Sequence, residues 1–347
     1  MPDILHVSNL NACHYAKSQL RRIIVSSSDP NGPYPVELEA PDIGAHEKGN
    51  TPYPFVSTFD SGKPGPHVCV NAVTHGNEIC GAIVVDRLLR DEVRPVAGRL
   101  SFVFNNYAAY QQFDPSNPDA SRFVDEDFNR VWTLERLEGP DDSSELRRAR
   151  EMRPFYDTVD LMLDIHSMGT RSPALMICNG LEKERVFTRK MNFPAHITCG
   201  SGHVVGARLL EYPPFQDPDN GKVALLVECG QHWAKETGVA AMDTACHFLV
   251  AAGAVEAHTV APYFSPHGSE PPPALMWDVT DGIISLTDTF EFVQVFNGME
   301  VIEKAGTVIA TDGDHEHRTP YDNCMLMMPN YKPGAGQRKL RLCRRVG

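Results

Sequence analysis

Residues 67–90 read HVCVNAVTHGNEICGAIVVDRLLR, and this pattern indicates the class of fold. Its opening, HVCVNAV, is a short apolar run with β-branched residues, which predicts a buried strand. THGNE at 74–78 then predicts a turn. ICGAIVVDRLLR at 79–90 has apolar residues at helical spacing, with arginines near the end, where they interact favourably with the helix dipole. The stretch therefore predicts a buried strand that leads through a tight turn into a helix.

The alternation of strands and helices continues to about residue 258. Helices are predicted at about 145–158 and 236–258, and further apolar strands at 100–105, 161–165, 174–178 and 223–227. Apolar strands separated by helices are typical of a largely parallel sheet with both faces covered. We therefore expect an α/β domain with a mixed, largely parallel sheet flanked by helices.

The composition of the sequence and its pattern of apolar residues change after residue 262. Residues 263–273 contain several prolines and predict a linker. Beyond them, short apolar runs alternate with glycine-containing turns, which predicts a smaller all-β domain at 274–347. The first 65 residues are rich in Pro and Gly and match no specific pattern. They are treated as an N-terminal extension of the larger domain, which is predicted at 1–262.

Charge and composition exclude several classes of partner. The chain has 347 residues, with 32 Lys and Arg against 45 Asp and Glu, so its formal net charge is −13. Nucleic acids and anionic membrane surfaces both require a cationic face, so neither is an expected partner. No apolar run approaches the roughly 18–20 residues that cross a bilayer, and no secretory signal is visible at the N-terminus. Nine scattered cysteines, none in a CxxC pair, predict reduced and mostly buried thiols in a cytoplasmic protein.

Polar residues stand at the ends of several predicted strands. His75 lies in the turn after the first strand, and His166 and Glu228 end two later ones. Ligands bind outside the carboxyl ends of strands in an open α/β sheet, so these side chains are expected to converge. Glu78 follows His75 by three residues, a spacing at which both can bind one divalent ion. With His166 this gives two His and one Glu, the ligand set of catalytic zinc with one position left open for water.

Glu228 is then a candidate general base and proton shuttle. Taken alone, each residue also has an ordinary structural explanation. An HxxE pair arises by chance, His166 fits a hydrogen-bonded core histidine, and Glu228 fits a helix cap. Their shared position at the ends of buried apolar runs favours the functional interpretation, because a polar group there needs a compensating partner.

The segment SRFVDEDFNRVW at 121–132 offers binding residues in an irregular loop. Arg122 and Arg130 can each clamp a carboxylate with a bidentate guanidinium, and an arginine can also stabilise the oxyanion that develops when a carbonyl is attacked. The alternative is that both arginines simply pair with the acids at 125–127. The segment alone leaves both interpretations open.

THGNE, RFVDEDFNRVW, LDIHS and LLVECG occur in this order, and together they resemble the succinylglutamate desuccinylase/aspartoacylase family of zinc metallocarboxypeptidase-like hydrolases. PNYKPGAGQRKLRL near the C-terminus is also similar to the family, so the resemblance runs from about residue 66 to the end. It implies a zinc carboxypeptidase-like fold and one Zn²⁺ per chain. It also implies a zinc-dependent amidohydrolase whose substrate is a small N-acyl amino acid. Homo-oligomerisation is left open.

The resemblance implies a metal centre and a base at matching positions. His75, Glu78 and His166 match the zinc ligands, and Glu228 matches the base that activates the attacking water. Asp164 is expected to orient the imidazole of a zinc ligand without itself binding the metal.

The resemblance also implies substrate-binding residues. Arg122 matches the arginine that polarises the scissile carbonyl, and Asn129 and Arg130 match the pair that binds the carboxylate of the amino acid. Aspartoacylase-type members carry a further arginine about ten residues before the base, which helps with a second carboxylate. This chain has Pro218 there, between two aspartates that would repel an anion. The departure argues against a diacid substrate and leaves room for an apolar or aromatic acyl group.

Two other functions stay open on the sequence. A metallocarboxypeptidase that trims peptides would use the same ligands, although the C-terminal β-domain of the resembled family narrows access to the site. A non-catalytic binding protein could keep the fold, although every implied ligand and the base are present.

Overall fold

The computed structural model describes residues 32–200 and 206–346. All elements given below lie in a compact unit that runs from Tyr34 to Gly347. Residues 1–31 of the N-terminal extension, which include Cys13, lie outside the described residues. The eight described cysteines are buried free thiols, in agreement with the prediction. Within the described residues no helix combines the length and the apolar character needed to cross a membrane.

Most of the strands join one continuous sheet, and three form a separate small sheet. The strands of the described chain are β1 Val56–Asp60, β2 His67–Ala72, β3 Arg99–Phe104, β4 Leu161–Met168, β5 Leu175–Cys178, β6 His196–Cys199, β7 Val223–Gln231, β8 Leu275–Ile284, β9 Glu291–Phe292, β10 Val301–Ile302, β11 Val308–Asp312, β12 His315–Arg318, β13 Cys324–Met327 and β14 Arg338–Val346.

The large sheet has the order β1-β3-β2-β4-β7-β5-β6-β8-β14-β13-β10. Its centre is parallel from β3 through β2 and β4 to β7. β5 is antiparallel to β7 and parallel to β6, which in turn is parallel to β8. β14, β13 and β10 then follow in antiparallel pairs. The predicted α/β class, with a mixed, largely parallel sheet and a strand-rich C-terminal region, is confirmed.

Helices cover both faces of this sheet. The α-helices of the described chain are Ile79–Arg90, Tyr107–Tyr110, Leu134–Glu138, Ser144–Tyr156, Glu182–Met191, Pro213–Gln216, Lys235–Ala251 and Ala257–Val260. Strand residues alternate between two core clusters: in β7, Leu225 packs with the helices at 79–90 and 235–251, whereas Leu226 packs with the helix at 144–156. Each fully buried Leu contributes about 1.5–3 kcal/mol, which fixes the register of every central strand.

Several boundaries differ from the prediction. β1, β6 and the helix at 182–191 were not predicted, because VSTFD and HITC are short strands of mixed polarity and the helix is strongly charged. The helix predicted to reach residue 258 ends at Ala251. Gly253 adopts a left-handed conformation (φ 70°) just beyond it and stops the helix. β8 joins the C-terminal strands to β6, and the division into two domains at 263–273 stays a prediction.

Candidate functional site

Two histidines and a glutamate meet at the carboxyl ends of β2 and β4. His75 and Glu78 lie in the turn that links β2 to the following helix, and His166 lies in β4. β2 and β4 are parallel neighbours, with Ala72 opposite Ile165, so the turn after β2 is beside His166. All three side chains are buried, and their ligating atoms lie within 4.8 Å of one another. We refer to these three residues as the His–Glu–His cluster.

Glu78 bridges the two imidazoles. One carboxylate oxygen, Oε1, lies 2.7 Å from His75 Nδ1, and the other, Oε2, lies 2.9 Å from His166 Nδ1. Oε2 also accepts a hydrogen bond from the backbone N–H of Ser167 (3.0 Å). The Nδ1 atoms of both histidines therefore point at the same carboxylate, which brings three potential ligands to one point.

Asp164 holds the far side of His166. Its Oδ2 lies 2.8 Å from His166 Nε2, and its Oδ1 accepts hydrogen bonds from Asn71 Nδ2 (2.7 Å) and Thr74 Oγ1 (2.9 Å). An ionised carboxylate only accepts, so His166 Nε2 carries a proton, and in the neutral ring Nδ1 is an acceptor. The sequence-based expectation that Asp164 lies behind a ligand imidazole agrees with this geometry.

The short distance between His166 Nδ1 and the Glu78 carboxylate shows whether the cluster can accommodate a cation. Two acceptors 2.9 Å apart repel each other unless a proton or a metal ion lies between them. Burial alone would lower the pKa of His166, but Asp164 and Glu78 outweigh it and raise the pKa well above its usual value. The site therefore draws positive charge to this point, and the donor set of two imidazoles and one carboxylate fits a divalent ion such as zinc.

Asp127 holds the far side of His75 and was not predicted as a site residue. Its Oδ1 lies 2.9 Å from His75 Nε2, and its Oδ2 accepts from Arg122 Nη2 (3.2 Å). Arg122 Nη2 also lies 3.0 Å from His75 Nε2, and its Nη1 lies 3.3 Å from Glu78 Oε1. Arg122 thus stands directly beside the cluster with its side chain 34% exposed. The signal that could have identified Asp127 is its place one residue before a short 3₁₀ helix, whose Asn129 N–H it caps (2.9 Å).

Glu228 lies beside His166, because the two residues are register partners in β4 and β7. The residue is 8% exposed, and its Oε2 is buried without a hydrogen-bond partner among the described residues. Burial, and next the negative charge of Glu78, raise the pKa of Glu228 to about 8. A carboxyl group with a pKa near neutrality can both accept and return a proton under physiological conditions.

Asn129 and Arg130 lie on the same loop as Arg122. The Asn129 side-chain oxygen accepts a hydrogen bond from the N–H of Leu209 (2.8 Å), which ties this loop to the segment before β7. Arg130 Nη1 donates to the Asn129 carbonyl (2.6 Å). Within the described chain no carboxylate lies within 4.0 Å of the Arg130 guanidinium, so the expectation that it merely pairs with the acids at 125–127 applies to Arg122 and not to Arg130.

The two aspartates around Pro218 lie away from this site. Asp217, Pro218 and Asp219 are exposed and precede β7, whereas Glu228 is near the carboxyl end of that strand. At about 3.3 Å per residue, Val223 and Glu228 are already about 16 Å apart. The expectation that these aspartates repel an anionic substrate is therefore wrong, because they lie near the amino end of β7 and Glu228 lies near its carboxyl end.

Comparisons with known proteins identify the family of the chain. A family model described as the succinylglutamate desuccinylase/aspartoacylase catalytic domain matches residues 64–245. The chain is 30% identical over 129 residues to the N-acyl-aromatic-L-amino acid amidohydrolase (carboxylate-forming) of Rattus norvegicus, covering 34% of this chain and 38% of that protein. It is 27% identical over 165 residues to the aspartoacylase of Mus musculus, covering 44% and 50%.

Solved structures show the same fold at lower sequence identity. The succinylglutamate desuccinylase/aspartoacylase of Rhodobacter sphaeroides has a TM-score of 0.61 and 16% identity, over 82% of this chain and 87% of that one. The matches to the two curated relatives span at most half of those proteins, so their full activities are not carried over by similarity alone.

Proposed function

The chain belongs to the succinylglutamate desuccinylase/aspartoacylase family, and we propose that it is a zinc-dependent amidohydrolase that cleaves the amide bond of a small N-acyl amino acid. The observation that carries the proposal is the His–Glu–His cluster with the buried carboxyl group of Glu228 beside it. The rat relative is named as an amidohydrolase of N-acyl amino acids, which supports the reaction class.

His75, Glu78 and His166 would hold the zinc ion. The Nδ1 atoms of both histidines face the Glu78 carboxylate, and Asp164 keeps the proton of His166 on Nε2, so that the lone pair at Nδ1 is available. A bound Zn²⁺ supplies Lewis-acid polarisation of a carbonyl and acidification of water. The protein contributes the arrangement of ligands and the remaining groups of the reaction.

Glu228 is proposed as the general base and then the general acid. As carboxylate, it takes a proton from the water that attacks the amide carbonyl, and it later returns this proton to the leaving amine. The two steps release a carboxylic acid and a free amino acid. Burial raises the pKa of Glu228, which makes its carboxylate a stronger proton acceptor than an exposed carboxylate.

Arg122 is proposed to stabilise the negative charge that develops on the carbonyl oxygen. Its guanidinium is anchored by Asp127 and Glu78, and the side chain remains 34% exposed. A donor that is held in position before the reaction stabilises the developing charge without reorganisation.

Asn129 and Arg130 are proposed to bind the carboxylate of the amino acid. The side-chain oxygen of Asn129 is used by the Leu209 N–H, which leaves the amide NH₂ to donate to a ligand. Arg130 has no carboxylate within 4.0 Å in the described chain, and its fork of N–H groups matches a carboxylate geometrically.

The test is hydrolysis of N-acyl amino acids by the zinc-loaded protein. Chelation should abolish activity and added zinc should restore it. Glu228→Gln should retain one zinc per chain and lose about 10²–10⁴-fold in kcat, whereas the exposed Glu236→Gln should behave as the wild type. Normal turnover by Glu228→Gln would contradict the assigned base. Release of terminal residues from long peptides, with no hydrolysis of N-acyl amino acids, would favour a carboxypeptidase instead.

A further inference from the structure

Two buried residues, His232 and Trp233, directly follow β7, the strand that carries the proposed base. Each is 4% exposed. His232 Nδ1 lies 2.8 Å from the hydroxyl oxygen of Ser167 in β4, and the indole N–H of Trp233 donates to the carbonyl of Asn77 (3.1 Å) in the turn after β2. The two side chains therefore contact both segments that carry the His–Glu–His cluster, and we refer to them as the His–Trp pair.

The contact of Trp233 fixes a peptide group in the turn that holds His75 and Glu78. The Asn77 carbonyl belongs to the planar peptide group whose nitrogen is that of Glu78, so its orientation sets the direction in which the Glu78 side chain leaves the backbone. The same nitrogen donates to the His75 carbonyl (3.2 Å) and closes the turn. An aromatic side chain without an N–H would fill the same space as Trp233 but would lose this directed contact.

The contacts of His232 fix the segment directly after His166. In addition to the contact of its ring with the Ser167 hydroxyl, the backbone N–H of His232 donates to the Met168 carbonyl (2.8 Å). The backbone N–H of Ser167 in turn donates to Glu78 Oε2 (3.0 Å), the oxygen that also faces His166 Nδ1. His232 therefore holds the residue whose backbone orients the carboxylate of the cluster.

The pairing of β4 with β7 becomes irregular at this place. The two strands pair in regular register up to His166 and Glu228, but the next pair is Met168 with Gln231. β7 thus has one more residue than β4 between the two pairs, so the regular ladder is disrupted there. Gly230, within this stretch, adopts a φ of +124°. The His–Trp pair therefore connects the strands of the base and of a ligand just beyond the last regular pair.

The backbone of the loop is held from outside the site as well. The N–H of Glu37 donates to the Trp233 carbonyl (2.9 Å). The Glu37 carboxylate accepts from the N–H of Lys235 (3.1 Å), at the start of the following helix, where an acid is favourable. The N–H of Trp233 donates to the side-chain oxygen of Gln231 (3.0 Å). A loop whose backbone is anchored in this way can hold its side chains firmly against neighbouring segments.

We propose that His232 and Trp233 are positioning residues that fix the proposed base relative to the ligands of the metal. Their loop follows Glu228, and their side chains reach both ligand-bearing segments, so the base and the ligands are held as one unit. A reacting centre held in position in this way needs little reorganisation to reach the transition state. The inference rests on the proposed function. It predicts a loss of zinc affinity and of kcat with little change in KM, because the proposed substrate-binding residues lie on a different loop.

The test uses variants that remove one contact and keep most of the side-chain volume. Trp233→Phe deletes the indole N–H, and His232→Leu deletes Nδ1. Each should weaken zinc binding and lower kcat by about tenfold, with KM within about twofold of the wild type. His232→Asn restores a polar group near the position of Nδ1 and should recover most of both losses. Competition with a chromophoric chelator measures the zinc affinity and needs no turnover.

The matched control is Trp277→Phe. Trp277 is a buried tryptophan on β8 (3% exposed), and its indole N–H has no hydrogen-bond partner among the described residues. The substitution removes the same atoms as Trp233→Phe without removing a contact to the cluster, so it should keep the wild-type zinc affinity and kcat. Denaturant unfolding of the metal-free proteins should give similar stabilities for the two variants, which separates positioning from general destabilisation.

Wild-type zinc affinity and kcat in both Trp233→Phe and His232→Leu would overturn the inference, and so would equal losses in Trp277→Phe. A stability loss in Trp233→Phe far above that of Trp277→Phe, together with no recovery in His232→Asn, would assign both residues to the fold and would also overturn it. If the wild type binds zinc but hydrolyses no N-acyl amino acid, the proposed function fails, and the zinc affinities of the variants still decide the inference. A wild type that binds no zinc would contradict both.

Discussion

In the His–Glu–His cluster the two imidazoles are held from behind by other carboxylates. Of three arginines that we call the arginine cluster, Arg208 pairs with Glu211, whereas Arg130 and Arg341 have no carboxylate within 4.0 Å in the described chain. Asp164 fixes His166 (2.8 Å) and Asp127 fixes His75 (2.9 Å). Among the described residues, the side chain of Arg341 by contrast donates its hydrogen bond to the sulfur of Met328 (3.3 Å). The donor set of the first cluster fits a cation, whereas two arginines of the second have no carboxylate within 4.0 Å in the described chain.

This difference assigns the two regions to different steps. Groups whose partners are already in place hold a reacting centre rigidly, which favours chemistry. Groups that lack partners gain most when a ligand of opposite charge arrives, which favours selection among substrates. We therefore expect substitutions in the His–Glu–His cluster to affect every substrate, and substitutions in the arginine cluster to affect the choice of substrate.

Removing a ligand imidazole should have the largest effect. His166→Ala deletes the Nδ1 that faces Glu78 (2.9 Å). We expect loss of bound zinc and a fall in kcat/KM of about 10³-fold or more, because a Lewis acid is worth several kcal/mol of transition-state stabilisation. Zinc content and kcat/KM should be measured together for His166→Ala and Arg341→Gln. Equal zinc loss in both variants would remove the distinction between the clusters.

The carboxylates behind the histidines should give the next largest effect. Asp164→Asn and Asp127→Asn each weaken an acceptor of an imidazole N–H, which should lower zinc affinity by about 10–100-fold. The effect should be greater for Asp164, whose side chain is 0% exposed, than for Asp127, at 22%. Competition with a chromophoric chelator measures both affinities. Wild-type affinity in both variants would show that these contacts do not support the metal centre.

The sequence was sufficient for the His–Glu–His cluster because its members lie at or just after the carboxyl ends of strands. Strand ends that are adjacent in a parallel sheet bring His75 and His166 together whatever their separation in the chain. The arginine cluster has no such signal. Arg208 lies outside the described strands and α-helices, and Arg341 lies on β14, which joins the main sheet only through β8. Asp127 was missed for the same reason, since loop packing rather than periodicity brings it to His75.

The effect of salt on KM should also distinguish the two clusters, but the expected change is smaller. The arginine cluster attracts an anion through charges that are partly accessible to solvent, and ions screen such attraction beyond about 10 Å at 0.1 M salt and about 3 Å at 1 M. Between these concentrations we expect KM for an N-acyl amino acid to rise several-fold in the wild type and less in Arg130→Gln. KM of the same compound with its carboxylate converted to an amide serves as the internal control. An equal rise for the acid and the amide would point to a general salt effect unrelated to the arginine cluster.

The smallest expected effect is on stability, and its sign is informative. Arg341→Met replaces a partly buried cation that lacks a carboxylate partner with an apolar side chain of similar length, beside Met327 and Met328. We expect the free energy of unfolding to stay level or to rise by about 1 kcal/mol, because an uncompensated buried charge costs more than it contributes. Denaturant unfolding of the zinc-loaded wild type, Arg341→Met and Arg345→Met measures this directly. A large destabilisation by Arg341→Met without ligand would mean that the arginine supports the fold, and the contrast between the two clusters would then rest on substrate preference alone.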